Sequence, residues 1–298
     1  MSTMQKFRFQ GGMAVVTGAA SGMGEHLARG LAGRGCGLAL VDRDRERLHE
    51  VAGAIGRAHP ALTVTTHVAD LAEPLQVDLL ADELLAAHPH ITLLINNAGV
   101  SMSGSFTQLS PEEFDWVMQV NFRAPMVLIR ALLPRLQESP GSQLVNTSSL
   151  WGIAAPLNNA AYATSKFALR GLSESLRHDL ARKGVGVTTV FPGGVATRIV
   201  QEERPPAAVT AAQAERRKLV NQQLLTYPAE RAAERIIRGI ERREARVVFT
   251  ASAIAVDVAT RLFPTHYPRV LNAITVTRMR LPALRRPRPA PPVPALPG

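Results

Sequence analysis

In the stretch AYATSKFALRGLSESL, residues 160–175, Tyr162 and Lys166 stand four positions apart. On a helix four residues make about one turn, so both side chains leave the same face. A free phenol, with a pKa near 10, is a poor base at neutral pH. An ammonium one turn away favours the phenolate and lowers that value. A shift of about three units requires about 4 kcal/mol, roughly what one cation at about 4 Å supplies in an effective dielectric near 20. The pair is therefore expected to give a tuned phenol that takes a proton from an alcohol or returns it to a carbonyl. Taken alone, such a pair is more often a surface feature than a catalytic one, so the reading depends on its company.

That company starts near the amino terminus. The first β-branched run leads into TGAASGMG, residues 17–24, with Gly18, Gly22 and Gly24. A glycine-rich turn opening a helix lets backbone N–H groups approach a pyrophosphate, and the helix end adds partial positive charge. The spacing is GxxxGxG, not GxGxxG. LALVD ends a second run at Asp42, placed to accept the ribose hydroxyls of a nucleotide, and NNAG, residues 96–99, follows a fourth run. In an open parallel sheet ligands bind at that carboxyl edge.

Together with Ser149, thirteen residues before Tyr162, and FPGGVAT at 191–197, these motifs resemble the classical short-chain dehydrogenase/reductase family, in the family's order and across most of residues 12–200. The resemblance implies a catalytic set of Asn121, Ser149, Tyr162 and Lys166. Ser149 would hydrogen-bond the substrate oxygen and stabilise developing charge, and Lys166 would also contact the nicotinamide ribose. It further implies that Gly18, Ser21, Gly22, Met23 and Gly24 hold the nucleotide phosphates. Asp42 and Arg43 would meet the adenosine ribose, Asp70 and Leu71 the adenine, and Asn97, Ala98 and Gly99 the ribose region. Pro192 and Gly193 belong to the Pro-Gly motif, with Val195 and Thr197 on the carboxamide. Asp42 repels a 2′-phosphate and favours NAD; Arg43, which would pair with that phosphate, keeps NADP as the alternative. Pro125 lies four residues beyond Asn121 and has no N–H, so in a helix the Asn121 carbonyl loses its partner; a water there would lead a proton relay toward Lys166. An ordinary proline kink is the other reading. Ser148 is the alternative hydroxyl, one position too far from Tyr162.

The elements that must position these groups read as alternating strands and helices. MAVVTG, LALVD, LTVTTHV, ITLLIN, SQLVNTSS, VGVTTVFPG and ARVVFT are strand-like, with helical patterns near 22–34, 44–58, 74–88, 110–137, 160–183 and 228–243. Buried apolar strands separated by helices predict an α/β fold, a Rossmann-type doubly wound parallel sheet, as a single domain over residues 1–250. Ser110, Pro111 and Glu113 mark a helix start. Residues 251–280 read as an amphipathic C-terminal extension with Ile254, Val258 and Leu262 at helical spacing. Residues 281–298 are Pro/Arg-rich and expected to be disordered.

The chain has 298 residues, 46% of them hydrophobic, and a net charge of +10. One cysteine, Cys36, excludes an internal disulfide framework and fits a reducing compartment. The amino-terminal residues lack the apolar run of a signal peptide, and no apolar run is long enough to span a membrane, so a soluble cytoplasmic protein is expected. Seven of the charges, Arg261, Arg269, Arg278, Arg280, Arg285, Arg286 and Arg288, lie beyond residue 260 with no acid among them. Such a tail suits peripheral contact with anionic lipid; nucleic acid is disfavoured, and a solvated extension is the plainer reading. The histidines form no metal-ligand pattern and read as surface or incidental, and no metal is expected.

The substrate side should be formed by residues 150–161, small and mainly apolar, and by a long charged stretch after Thr197 that reads as a mobile lid. A hydrophobic secondary alcohol or ketone, of steroid, lipid or xenobiotic type, is the expected substrate. Alternatives are a 3-oxoacyl-type reductase, or a protein of this fold tethered to membrane or nucleic acid through its basic tail. The resemblance implies a homodimer or homotetramer built on the helices near 110–137 and 160–183.

Overall fold

The structure is a computed structural model that describes residues 5–269. Its strands are β1 (Met13–Thr17), β2 (Gly37–Asp42), β3 (Val64–Val68), β4 (Leu93–Asn96), β5 (Gln143–Thr147), β6 (Gly186–Phe191), β7 (Val195–Ala196), β8 (Tyr227–Pro228) and β9 (Arg246–Val248). The helices are α1 (Gly22–Ala32), α2 (Arg45–Ala58), α3 (Pro74–Ala87), α4 (Pro111–Met118), α5 (Ala124–Glu138), α6 (Ala160–Ala181), α7 (Ala211–Leu224), α8 (Ala229–Glu241) and α9 (Ala251–Leu262). All seven runs read as strands enter one parallel sheet in the order β3-β2-β1-β4-β5-β6-β9.

Period-two alternation divides each central strand between two cores. Ala14 and Val16, Leu38 and Leu40, and Leu93 and Ile95 face the layer of α1, α2 and α8. Val15, Ala39, Val41 and Leu94 face the layer of α3, α5 and α6. Burial on both faces accounts for the near-continuous apolar runs. Strand order reverses between β1 and β4, and their carboxyl ends open a crevice there.

The helix near 110 begins as its sequence demands: Ser110 Oγ accepts from Glu113 N at 3.2 Å and a Glu113 carboxylate oxygen accepts from Ser110 N at 3.0 Å. It does not run unbroken to 137. Residues Gln119–Arg123 form a π-helical turn, with Ala124 N donating to Gln119 O, between α4 and α5. Pro125 offers no N–H one turn further on, and the widened turn absorbs that break without ending the helical path. The stretch after Thr197 contains α7, which opens on a Thr210/Gln213 capping box. Its two ends are clasped by the β7–β8 pair, Val195 opposite Tyr227 and Ala196 opposite Pro228.

Beyond residue 250 a helix forms as the Ile254/Val258/Leu262 spacing predicts, but that face points outward: the three side chains are 51%, 47% and 66% exposed. The inner face uses Ala253, which is fully buried, and Asp257, which pairs with Arg246 at 2.8 Å. The expected disordered tail, 281–298, and the last part of the extension lie outside the described residues. No described helix is long and apolar enough to cross a membrane.

Candidate active site

At the end of β1, Thr17 ties the two halves of the crevice together. Its hydroxyl accepts from Asn97 N at 3.0 Å and Ala98 N at 3.1 Å, and Asn97 Nδ2 donates to Thr17 O at 3.1 Å. Gly18 takes a positive φ of 68°, which glycine tolerates best. A Cβ on Gly24 would sit 1.8 Å from Gly18 O, so this glycine lets the first turn of α1 close onto the loop. Ser21, the N-cap of α1, makes no side-chain capping bond. The N–H groups of the first turn therefore face the crevice without a side-chain acceptor from that cap. At the end of β2, Asp42 accepts from Ala20 N at 3.0 Å and Asp44 N at 3.1 Å, fixing its carboxylate beside the glycine loop.

Tyr162 and Lys166 leave the same face of α6, with Lys166 Nζ 5.7 Å from the Tyr162 ring centre. The tyrosine hydroxyl lies within electrostatic reach of Ser149, whose Oγ accepts from Trp151 N at 3.1 Å. Lys166 is 3% exposed and donates to the Thr147 carbonyl at 3.0 Å. Burial lowers its pKa to about 8. The phenol differs from the expectation of a depressed value. Burial holds its pKa above 10, with Ser149 opposing and the charge of Glu203 adding to the rise. The physical reason is that desolvation of the phenolate outweighs its stabilisation here, while the ammonium is directed to a backbone carbonyl. One oxygen of Glu203, Oε1, is itself buried with no hydrogen-bond partner.

Asn121 lies in the π-helical turn and is fully buried. Its Oδ1 accepts from Val100 N at 2.9 Å, while Nδ2 donates to Val100 O at 2.9 Å and to Ser165 Oγ at 3.0 Å. It therefore locks the loop after β4 to α6. The alternative hydroxyl, Ser148, donates through Oγ to the Lys166 carbonyl at 2.9 Å.

These groups surround a cleft of about 810 Å³. It is lined by Gly18, Ser21, Gly22 and Met23, by Asp42 and Arg43, by Asp70 and Leu71, and by Asn97, Ala98 and Gly99. Ser149, Tyr162, Lys166, Pro192, Val195 and Thr197 complete the expected set. Three of the expected residues do not line it. Gly24 is a packing position, Asn121 acts from behind the wall, and Gly193 faces α9, where a Cβ would meet Thr250 Oγ1 at 2.7 Å and Ala253 Cβ at 2.9 Å. Gly194, next in sequence, is the one that lines the cleft. Arg204 and Arg217, from the stretch after Thr197 expected on the substrate side, line the cleft, whereas sequence reasoning missed Ser103, Trp116 and Val256. None of these three sits in a recognisable motif.

Two of the histidines are not at the surface. His67 and His88 are buried and both bond Thr65 Oγ1, at 2.9 and 3.0 Å. Each has an apolar or hydrogen-bonded place in the β3–α3 packing, and no group of side chains suited to a metal ion occurs among the described residues. Cys36 is buried, which pushes its thiol up to about 12 and makes it inert.

The sequence model of the short chain dehydrogenase family matches residues 12–208. The chain belongs to that family. A protein named as the oxidoreductase SadH of Mycobacterium tuberculosis is 33% identical over 274 residues, covering 89% of this chain and 95% of that protein. A short-chain dehydrogenase/reductase from Burkholderia phymatum, solved with NAD, superposes with a TM-score of 0.77 at 28% identity, covering 86% of this chain and 95% of its own. One from Sphingobium yanoikuyae, solved with NADPH, gives 0.71 at 25% identity, covering 93% and 99%. This short-chain dehydrogenase/reductase is an NAD(P)-dependent oxidoreductase.

Proposed function

We propose that the enzyme interconverts a hydrophobic secondary alcohol and the matching ketone, with Tyr162 as the proton-bearing group. The observation that carries this reading is the joint placement of Ser149, Tyr162 and Lys166 on one wall of the cleft. A nicotinamide nucleotide fits the residues present. The glycine turn and uncapped α1 terminus suit its phosphates, Asp42 its ribose hydroxyls, and the loop 97–99 with Val195 and Thr197 its nicotinamide half. When bound, the nicotinamide supplies or accepts the hydride.

The protein's own part is proton management and orientation. With its pKa held above 10, Tyr162 carries its proton at neutral pH and is ready to donate it to a carbonyl oxygen. Ser149 Oγ, on the same cleft wall as the phenol, supplies a second polar group for that oxygen. Lys166 remains largely protonated at neutral pH, and the positive charge behind Tyr162 stabilises the phenolate left after proton donation. Asn121 holds Val100 and Ser165, and so the wall on which these groups stand. Its carbonyl, four residues before Pro125, remains the candidate start of a proton path toward Lys166.

NAD is the favoured cofactor because the Asp42 carboxylate is fixed at the cleft wall and repels a 2′-phosphate. The enzyme is read as a cytoplasmic homo-oligomer, and the outward face of α9 with the arginines beyond it as a place for peripheral lipid contact. The test is kcat/KM with NADH and NADPH over a panel of apolar ketones, for the wild type and Asp42→Ala. The wild type should prefer NADH by at least about tenfold, equivalent to about 1.4 kcal/mol, and the variant should lose most of that preference. A wild-type preference for NADPH would show that Arg43 governs the pocket.

A further inference from the structure

The segment after Thr197 brings three arginines to the cleft, and they are not equivalent. Arg198 is neutralised by Glu202 at 2.9 Å. Arg204 stacks over Trp116, its guanidinium carbon 4.9 Å from the ring centre. Arg217 donates through Nη1 to the Ser103 carbonyl at 2.9 Å and through Nη2 to Gln108 Oε1 at 3.1 Å. Neither Arg204 nor Arg217 meets a carboxylate among the described residues. A guanidinium carries five donors in a planar fork, and the two contacts of Arg217 leave its other donors and its charge without a carboxylate among the described residues. Both groups are also held in place, one by stacking and one by two hydrogen bonds, so little side-chain freedom remains to be lost on binding.

A wholly apolar substrate would cover these cations without replacing their water, and burying an unpaired charge is costly. A carboxylate would instead form charge-assisted bonds with them, bidentate where the planar fork meets both oxygens. The apolar surfaces of Trp116, Trp151, Leu157, Val200 and Val256 supply the remaining wall. We infer that the preferred substrate is an apolar ketone or secondary alcohol bearing a carboxylate, which Arg217 and Arg204 hold while the carbonyl meets Tyr162. This inference rests on the alcohol–ketone reading above and narrows its substrate class.

The test compares medium-chain oxo acids of varied carbonyl position with their methyl esters, each with the full-length enzyme and saturating reduced nucleotide. The quantity read is the ratio of kcat/KM for acid over ester. For the wild type the best acid should exceed its ester by about tenfold or more, the scale of one charged hydrogen bond. Arg217→Gln and Arg204→Gln should each collapse that ratio. A loss of lid anchoring alone would affect acid and ester alike and leave the ratio standing. The wild-type ratio should also fall as ionic strength rises, since the arginines are partly exposed. Turnover of the esters with a ratio near one, or a ratio that survives both substitutions, overturns the anionic substrate and leaves the alcohol–ketone reading intact. Absence of turnover across the whole series, with either nucleotide, overturns both.

Discussion

Lys166 shows how far a residue's chemistry can be read from spacing. Four positions after a tyrosine is a local relation, and the shared helix face follows directly. What the ammonium bonds is not local: Thr147, at the end of β5, reaches it only through the sheet. That contact and the surrounding burial explain why the phenol rises where spacing alone predicts a fall. The buried ammonium also has a measurable cost. Lowering its pKa from 10.5 to about 8 corresponds to about 3 kcal/mol at most, at 1.36 kcal/mol per unit. Lys166→Met should therefore abolish turnover yet raise the melting temperature by several degrees at neutral pH. The sign with pH is also fixed. Below about 8 both folded and unfolded wild type hold the proton, and the full cost applies. Between about 8 and 10.5 the unfolded chain binds more protons, so wild-type stability rises with pH and the gap to the variant narrows. A gap that is flat or widening over this range, followed by calorimetry, contradicts the assignment.

At the scale of elements, the strands and most helix limits were legible because each carries its own pattern: near-continuous apolar runs in β1, β2 and β4, and the Ser110/Glu113 box at the start of α4. α7 carried a comparable signal in Thr210 and Gln213, but its mixed charges hide any apolar face, and the stretch reads as a mobile lid without its own helix. The π-helical turn was only half legible. Pro125 announces a break, whereas the choice of a widened turn depends on Asn121 reaching Val100 and Ser165 from a buried position. Asn121→Leu tests that role, since it keeps the volume and removes three bonds. It should lower stability by about 2–4 kcal/mol through the buried partners left unpaired. It should also weaken nucleotide binding, because the loop held by Val100 forms part of the cleft. Denaturant unfolding and nucleotide titration on the same preparation read both effects; wild-type values in both would remove Asn121 from the positioning scheme.

For the molecule as a whole, the two faces of α9 have separate tasks. The inner face fills space beneath Gly193, pairs Asp257 with Arg246, and lines the cleft through Ser252 and Val256. The helical spacing of Ile254, Val258 and Leu262 was legible, but not the face that docks, since small and polar residues make the inward contact. Replacing those three by serine should leave the melting temperature within about two degrees, as expected for exposed positions. Ending the chain after Thr250 should lower it clearly, because it uncovers the inner wall. If the triple variant loses as much stability as the truncation, the outer face packs against a second copy. A loss of binding to anionic vesicles in the triple variant would instead assign that face to lipid.

The central claim is that the Tyr162 hydroxyl moves the proton, and one comparison tests it. Full-length wild type and Tyr162→Phe would be measured side by side for reduced-nucleotide affinity and for ketone-dependent loss of nicotinamide absorbance. Removing one hydroxyl from a well-packed ring should leave the nucleotide dissociation constant within about threefold, while turnover falls by at least about a hundredfold, the scale of a lost general acid. Turnover in Tyr162→Phe within tenfold of wild type would contradict the account.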